Sequence, residues 1–150
     1  METNDMTSWM LGEHGKIREL NDELRAAVTT PPRGNREEWL AGVVKRIDEY
    51  VSRMREHMLK EEEGGYLTHV IELRPTLADS VDVLKYEHDE LNALMDDVQA
   101  AVKELSPTDN LLLRDCCRRI EHLMTWMDRH EEHENHIMIY AFTQDIGAAD

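Results

Sequence analysis

Cysteine is nearly absent from this chain of 150 residues, phenylalanine occurs once, and basic residues are outnumbered by acidic ones, 17 to 32. Each scarcity excludes something. The only cysteines, Cys116 and Cys117, are neighbours. Side chains of helical neighbours diverge, so the pair does not form a structural disulfide, and no framework of the kind that staples small secreted domains is present. Long apolar runs are also missing: none approaches the ~20 residues needed to span a bilayer. The opening Met1 to Met6 has neither the basic stretch nor the apolar core of a secretory leader. The expectation is a cytoplasmic protein without a membrane partner. The net charge of −15 repels phosphate backbones and anionic headgroups alike, which excludes nucleic acid as a partner. With 150 residues, the length suits a single domain over residues 1–150, built on about four helices.

Proline and glycine are few, and where they occur they punctuate. The first helical stretch runs from about Thr7 to Val28, where Thr29-Thr-Pro-Pro-Arg-Gly34 stops it because proline cannot supply the next backbone donor. Asn35 is then placed to cap a second stretch that reaches about Glu63, and Gly64-Gly65 tolerates the left-handed conformation a helix end often needs. Residues Tyr66 to Arg74 read as an irregular connection, since Pro75 disfavours helix in the residue before it. A third helix spans roughly Thr76 to Glu104. Ser106-Pro-Thr-Asp109 resembles a capping box that opens a fourth, reaching about Tyr140, with a frayed tail to Asp150. The expected fold is all-α, an up-down-up-down four-helix bundle with its core over about residues 7–140.

Each stretch carries apolar residues at alternating spacings of three and four, the seam of a helix packed almost parallel to its neighbours. The seams read Met10, His14, Ile17, Asn21, Leu24, Val28; Val43, Ile47, Tyr50, Met54, His57, Glu61; Leu77, Val81, Leu84, His88, Leu91, Met95, Val98, Val102, Leu105; and Leu113, Cys116, Ile120, Leu123, Met127, His130, Glu134, Ile137. Histidine interrupts all four. His14 and His88 fall early in their helices, His57 and His130 late, so antiparallel neighbours bring the four to one end of the bundle. Glu61 and Glu134 sit four residues beyond their histidines, on the same face.

No Lys or Arg lies on any seam to neutralise those two carboxylates, and a buried unpaired charge costs several kcal/mol. A cation is the simplest remedy. Six mixed nitrogen and oxygen donors exceed what one four-coordinate structural zinc uses, whereas two ions about 3.5 to 4 Å apart use every group. Glu62, Glu131, His133 and Tyr86 lie one position off the seam and read as surface residues, while His69 and His122 read as incidental. His133 and His136 do not match the zincin spacing, and Glu-x-x-His pairs, which ferritin-like di-iron bundles need, are absent from the sequence. Met54, Met95 and Met127 read as packing, Cys116 as a small hydrophobe, and Trp9, Trp39 and Trp126 as cover.

The segments EHGKIREL, HMLKEEEGGYL, EHDELNAL and HEEHENHI, with one histidine on the first helix, His-x-x-x-Glu on the second, one on the third and His-x-x-x-Glu on the fourth, resemble the hemerythrin-like family, the HHE cation-binding domain. The resemblance covers His14 to Ile137. It implies two iron ions joined by an oxo or hydroxo bridge, with His14, His57, His88 and His130 as terminal ligands and Glu61 and Glu134 as bridges. The function implied is binding of a diatomic ligand, O2 or NO, for sensing, storage or scavenging, with an unidentified protein partner or reductase. Enzymatic turnover of peroxide or nitric oxide is the alternative, with Tyr50 or Tyr86 as proton donor; iron storage or donation for iron–sulfur repair is a second. One departure stands out: where oxygen-carrying hemerythrins have a fifth histidine, this chain has Asn92.

Overall fold

A computed structural model describes residues 3–143, of which Thr3, Asn4 and Thr143 are described as backbone only. Five helices form it: α1 (Thr3–Thr29), α2 (Arg36–Glu63), α3 (Tyr66–Leu73), α4 (Ala78–Glu104) and α5 (Asn110–Thr143). The tail expected to fray lies outside the described residues. Helix α1 packs beside α2 and α5, and α4 completes the ring by packing beside the same two. Short connections between neighbours make this the expected up-down-up-down bundle.

The seams hold almost throughout. Every residue of the first, second and fourth is buried, and the third departs only at its ends, where Leu77 and Leu105 are half-buried. Fully buried side chains such as Leu24, Ile47, Leu84, Met95 and Leu123 supply the drive to assemble, at roughly 1.5–3 kcal/mol each for an aliphatic side chain removed from water.

The boundaries refine the expectations. Asn35 does precede α2, but its backbone is left-handed at φ 53° and its side chain makes no capping bond; the first helical bond runs instead from the Trp39 N–H to the Asn35 carbonyl, 3.0 Å. Asparagine is among the few side-chain-bearing residues that tolerate this conformation. At α5 the cap falls three residues later than expected: Asp109 Oδ1 accepts the Leu112 N–H at 3.1 Å, while Ser106 to Asp109 forms a turn of its own.

The segment expected to be irregular is α3. Gly65, at φ 91°, reverses the chain after α2, and the His69 N–H bonds back to its carbonyl at 2.9 Å, starting a new helix. Pro75 then ends matters as foreseen, in a 3-10 turn over Pro75–Leu77 that leads into α4. Helix α3 packs on α2, α4 and α5 at the end of the bundle, burying Tyr66, Leu67 and Val70.

The core is therefore in two pieces. One apolar cluster fills the bundle from Ile17, Leu91 and Met127 toward the α2 and α5 N-termini. A second gathers Met6, Met10, Leu84, Ile137 and the buried face of α3. Between them runs a polar layer.

Candidate metal centre

That layer holds His14, His57, Glu61, His88, His130 and Glu134, all at most 4 % exposed. The sequence placed all six here, and the structure brings all six together. Four helices each present a histidine at the same depth, and the four-residue spacing sets Glu61 and Glu134 one turn further, over the same axis.

Every histidine points its Nε2 inward. Glu134 lies between two pairs of them: its Oε2 is 2.9 Å from His14 and 3.7 Å from His57, its Oε1 2.7 Å from His130 and 3.7 Å from His88. Glu61 Oε1 stands 2.6 Å from His57 and 3.9 Å from His88. The donor atoms form two groups with cation-holding geometry, Glu61 with His88, His130 and Glu134, and His14 with His57 and Glu134, so that Glu134 belongs to both.

Each Nδ1 points outward, toward a group on the neighbouring helix. Glu13 of α1 faces His57 of α2 at 3.7 Å, Glu62 of α2 faces His88 of α4 at 3.4 Å, Glu87 of α4 meets His130 of α5 at 2.6 Å, and Glu131 of α5 faces His14 of α1 at 3.7 Å. His14 Nδ1 also bonds Asn135 Oδ1 at 2.9 Å. The four acids run once around the ring of helices. Carboxylates behind imidazoles fix the ring orientation and raise basicity, the arrangement that metal-ligating histidines use. Sequence reading took Glu62 and Glu131 for surface residues and passed over Glu13 and Glu87. Glu131 is in fact buried and Glu87 half-buried, while Glu62 is exposed as expected, its carboxylate nonetheless facing His88.

Burial disfavours charge on His57, yet the nearby carboxylates of Glu134 and Glu61 overcome it and raise the imidazole to about 10. His130 reaches about 10 for the same reasons, with Glu87 adding to Glu134. Burial pushes Glu61 up, and the Glu134 charge adds to it; Glu134 also suffers burial, but His130, His14 and His57 pull it well below the ordinary carboxylate range. Without a cation, protons must do a cation's work here. Even so, both nitrogens of His57 and His88, His130 Nε2, both Glu61 oxygens and Glu134 Oε1 find no hydrogen bond of proper geometry. Buried polar atoms are rarely left so. Their donor atoms gather into the two groups above, each within 4.8 Å of one another, which suits metal ions.

Tyr66 is the site-facing residue that sequence reading missed. Its hydroxyl is buried without a partner, and after burial itself the charges of Glu134 and Glu61 hold its proton on most strongly. Its ring stands 5.9 Å from Trp9, which stacks on His57 at 5.4 Å. A pocket of about 350 Å³ opens here between Met6, Trp9, Lys60, Gly64 and Tyr66. Neither tyrosine expected as proton donor suits the role. Tyr86 is 66 % exposed, and Tyr50, though buried, feels Asp128 and Glu131 rather than the inner glutamates. Asn92 is turned away, its Oδ1 accepting from Arg55 Nε at 3.3 Å, so it does not replace a fifth histidine. A cleft of about 620 Å³ between residues 33–38 and 107–110 is at the opposite end and includes none of these groups. Cys116 and Cys117 are buried free thiols, pushed up in pKa first by burial, and they pack in the larger apolar cluster.

Among the described residues, no helix is long and apolar enough to cross a membrane. The family model for the hemerythrin HHE cation-binding domain matches residues 5–142. No curated protein and no solved structure matches the chain.

Proposed function

The chain belongs to the hemerythrin HHE cation-binding domain family, and from that premise we propose that it holds two iron ions and uses them to bind a diatomic ligand, O2 or NO. The single observation that carries the reading is Glu134, whose two oxygens are divided between two histidine pairs. His14 and His57 would hold one ion, His88 and His130 the other, with Glu134 and Glu61 between them. Nitrogen and oxygen donors without thiolates suit iron. Iron, when bound, supplies the electrons that a diatomic ligand needs in order to be held.

The chain's own residues do the rest. The apolar clusters on either side of the layer exclude water. Trp9 stacks on His57 and also lines the pocket, which would give a small apolar molecule its approach to the layer. Tyr66 keeps its proton and has a hydrogen bond to give. The test is iron analysis after anaerobic loading with ferrous salt, followed by rapid mixing with O2 under near-ultraviolet absorption. Two irons per chain and a long-lived absorbing species support the reading. One iron or none overturns it.

A second reading is turnover of peroxide or nitric oxide, in which the Tyr66 hydroxyl, its proton firmly held, would steady the reacting ligand as a hydrogen-bond donor rather than release a proton. Prompt loss of the absorbing species with peroxide consumption would select it.

A further inference from the structure

The outer ring of acids is not even. Glu13, behind His57, pairs with Arg53 at 2.9 Å, and Glu131, behind His14, pairs with Arg18 at 2.7 Å. The closest partner of His14 Nδ1 is the uncharged amide of Asn135. Behind the other pair the situation reverses. Glu87 and Glu62 have no Lys or Arg partner among the described residues. Glu87 shares its carboxylate only with histidines, His130 and, at 3.1 Å, His133. Arginine is charged at every working pH, whereas a neutral imidazole donates a hydrogen bond and leaves the carboxylate's charge in place.

We infer that this uneven ring makes the two metal positions unlike: the His88/His130 position binds its ion first and more tightly, and the His14/His57 position fills last and empties first. The inference rests on the two-ion reading above. Its physical basis is the transmission of outer charge through imidazole. A carboxylate bonded to Nδ1 increases electron density at Nε2 and so strengthens the bond to a cation, while an arginine on that carboxylate withdraws the effect. The short Glu87–His130 contact and Glu62, which faces His88 at 3.4 Å, act on one ion; the amide and the two arginine-held acids act on the other. The inner donors lean the same way, because Glu61 groups with His88, His130 and Glu134, leaving three donors in the other set. When metal is scarce, a one-ion form with its open position beside His14 and His57 therefore predominates.

The experiment is a calorimetric titration of the full metal-free chain with Zn²⁺ at pH 8, with anomalous scattering from crystals grown at one equivalent of Zn²⁺ to locate the first ion. Two resolved steps are expected, with the first ion at His88 and His130. Glu87→Gln should weaken the tighter step by roughly 10–100-fold. Asn135→Asp should strengthen the weaker step by on the order of tenfold, an effect that loss of fold cannot imitate. Two steps of equal affinity, a first ion at His14 and His57, or an Asn135→Asp variant that leaves the weaker step unchanged would overturn the inference while leaving two-ion binding intact. Failure of the native chain to take up two ions would overturn both.

Discussion

Two buried tyrosines give a controlled comparison of what a single hydroxyl does. Tyr50 and Tyr66 both bury an oxygen that no protein group bonds, but only Tyr66 stands in the field of both inner glutamates. An unsatisfied buried hydroxyl contributes nothing to stability that its loss could remove, so Tyr50→Phe and Tyr66→Phe should both unfold within ~1 kcal/mol of the native chain in urea. Their effect on a bound ligand should differ. Loss of one hydrogen bond worth ~1 kcal/mol shortens ligand lifetime about fivefold, and stopped-flow dissociation should find this for Tyr66→Phe alone. Equal lifetimes in the two variants would remove Tyr66 from the site. The six inner residues were legible because each breaks an apolar seam, and a polar residue on a seam is conspicuous. The outer acids were not. Glu13, Glu62, Glu87 and Glu131 each adjoin an inner residue in sequence, but a one-residue step turns the side chain about 100° toward the neighbouring helix, and which helix that is depends on the order of packing.

At the scale of elements, α3 is the piece that periodicity could not yield. Eight residues make barely two turns, too few to establish a 3.6-residue period, and the flanking glycines and proline suggested a loop. What makes it a helix is the buried end of the bundle, against which Tyr66, Leu67 and Val70 pack. The long helices were legible because their seams repeat over about five turns or more, and their caps were less so because several polar residues near each end compete for the role. The joint between α2 and α3 also positions the centre, since Glu61 lies one turn before it and Tyr66 directly after. A Cβ on Gly64 would sit 2.3 Å from the Lys60 carbonyl oxygen, and a side chain on Gly65 would be strained at φ 91°. Gly64→Ala and Gly65→Ala should each cost more than ~1 kcal/mol in thermal or urea unfolding. Gly64→Ala should be the worse of the two, because its clash is with backbone and cannot be relieved by a rotamer change. If Gly64→Ala unfolds like the native chain, the tight joint is not required.

Across the whole molecule, a layer of six ionisable groups separates two apolar clusters, and the chain's stability must follow whatever neutralises that layer. In the metal-free chain the neutralising agents are protons. His57 and His130 are raised to about 10 from an ordinary 6.5, so between those values the folded chain holds protons that the unfolded chain has released. Stability from these groups is fully present below about pH 6.5 and is lost as pH rises through about 10. Glu61, raised mainly by burial and the Glu134 charge, acts in the same direction. Glu134, lowered by its histidines, loses its contribution only on the acid side, as pH falls through its depressed value. Metal ions reverse the dependence above neutrality, because they bind the neutral imidazoles and stabilise the folded state by mass action. Urea unfolding from pH 6 to 10 should therefore show the chelator-treated chain weakening steadily while the iron- or zinc-loaded chain holds level, with the two curves furthest apart near pH 10. A metal-free chain that grew more stable above pH 7 would mean that the layer is not held together by shared protons, and that the two apolar clusters alone keep the four helices in register.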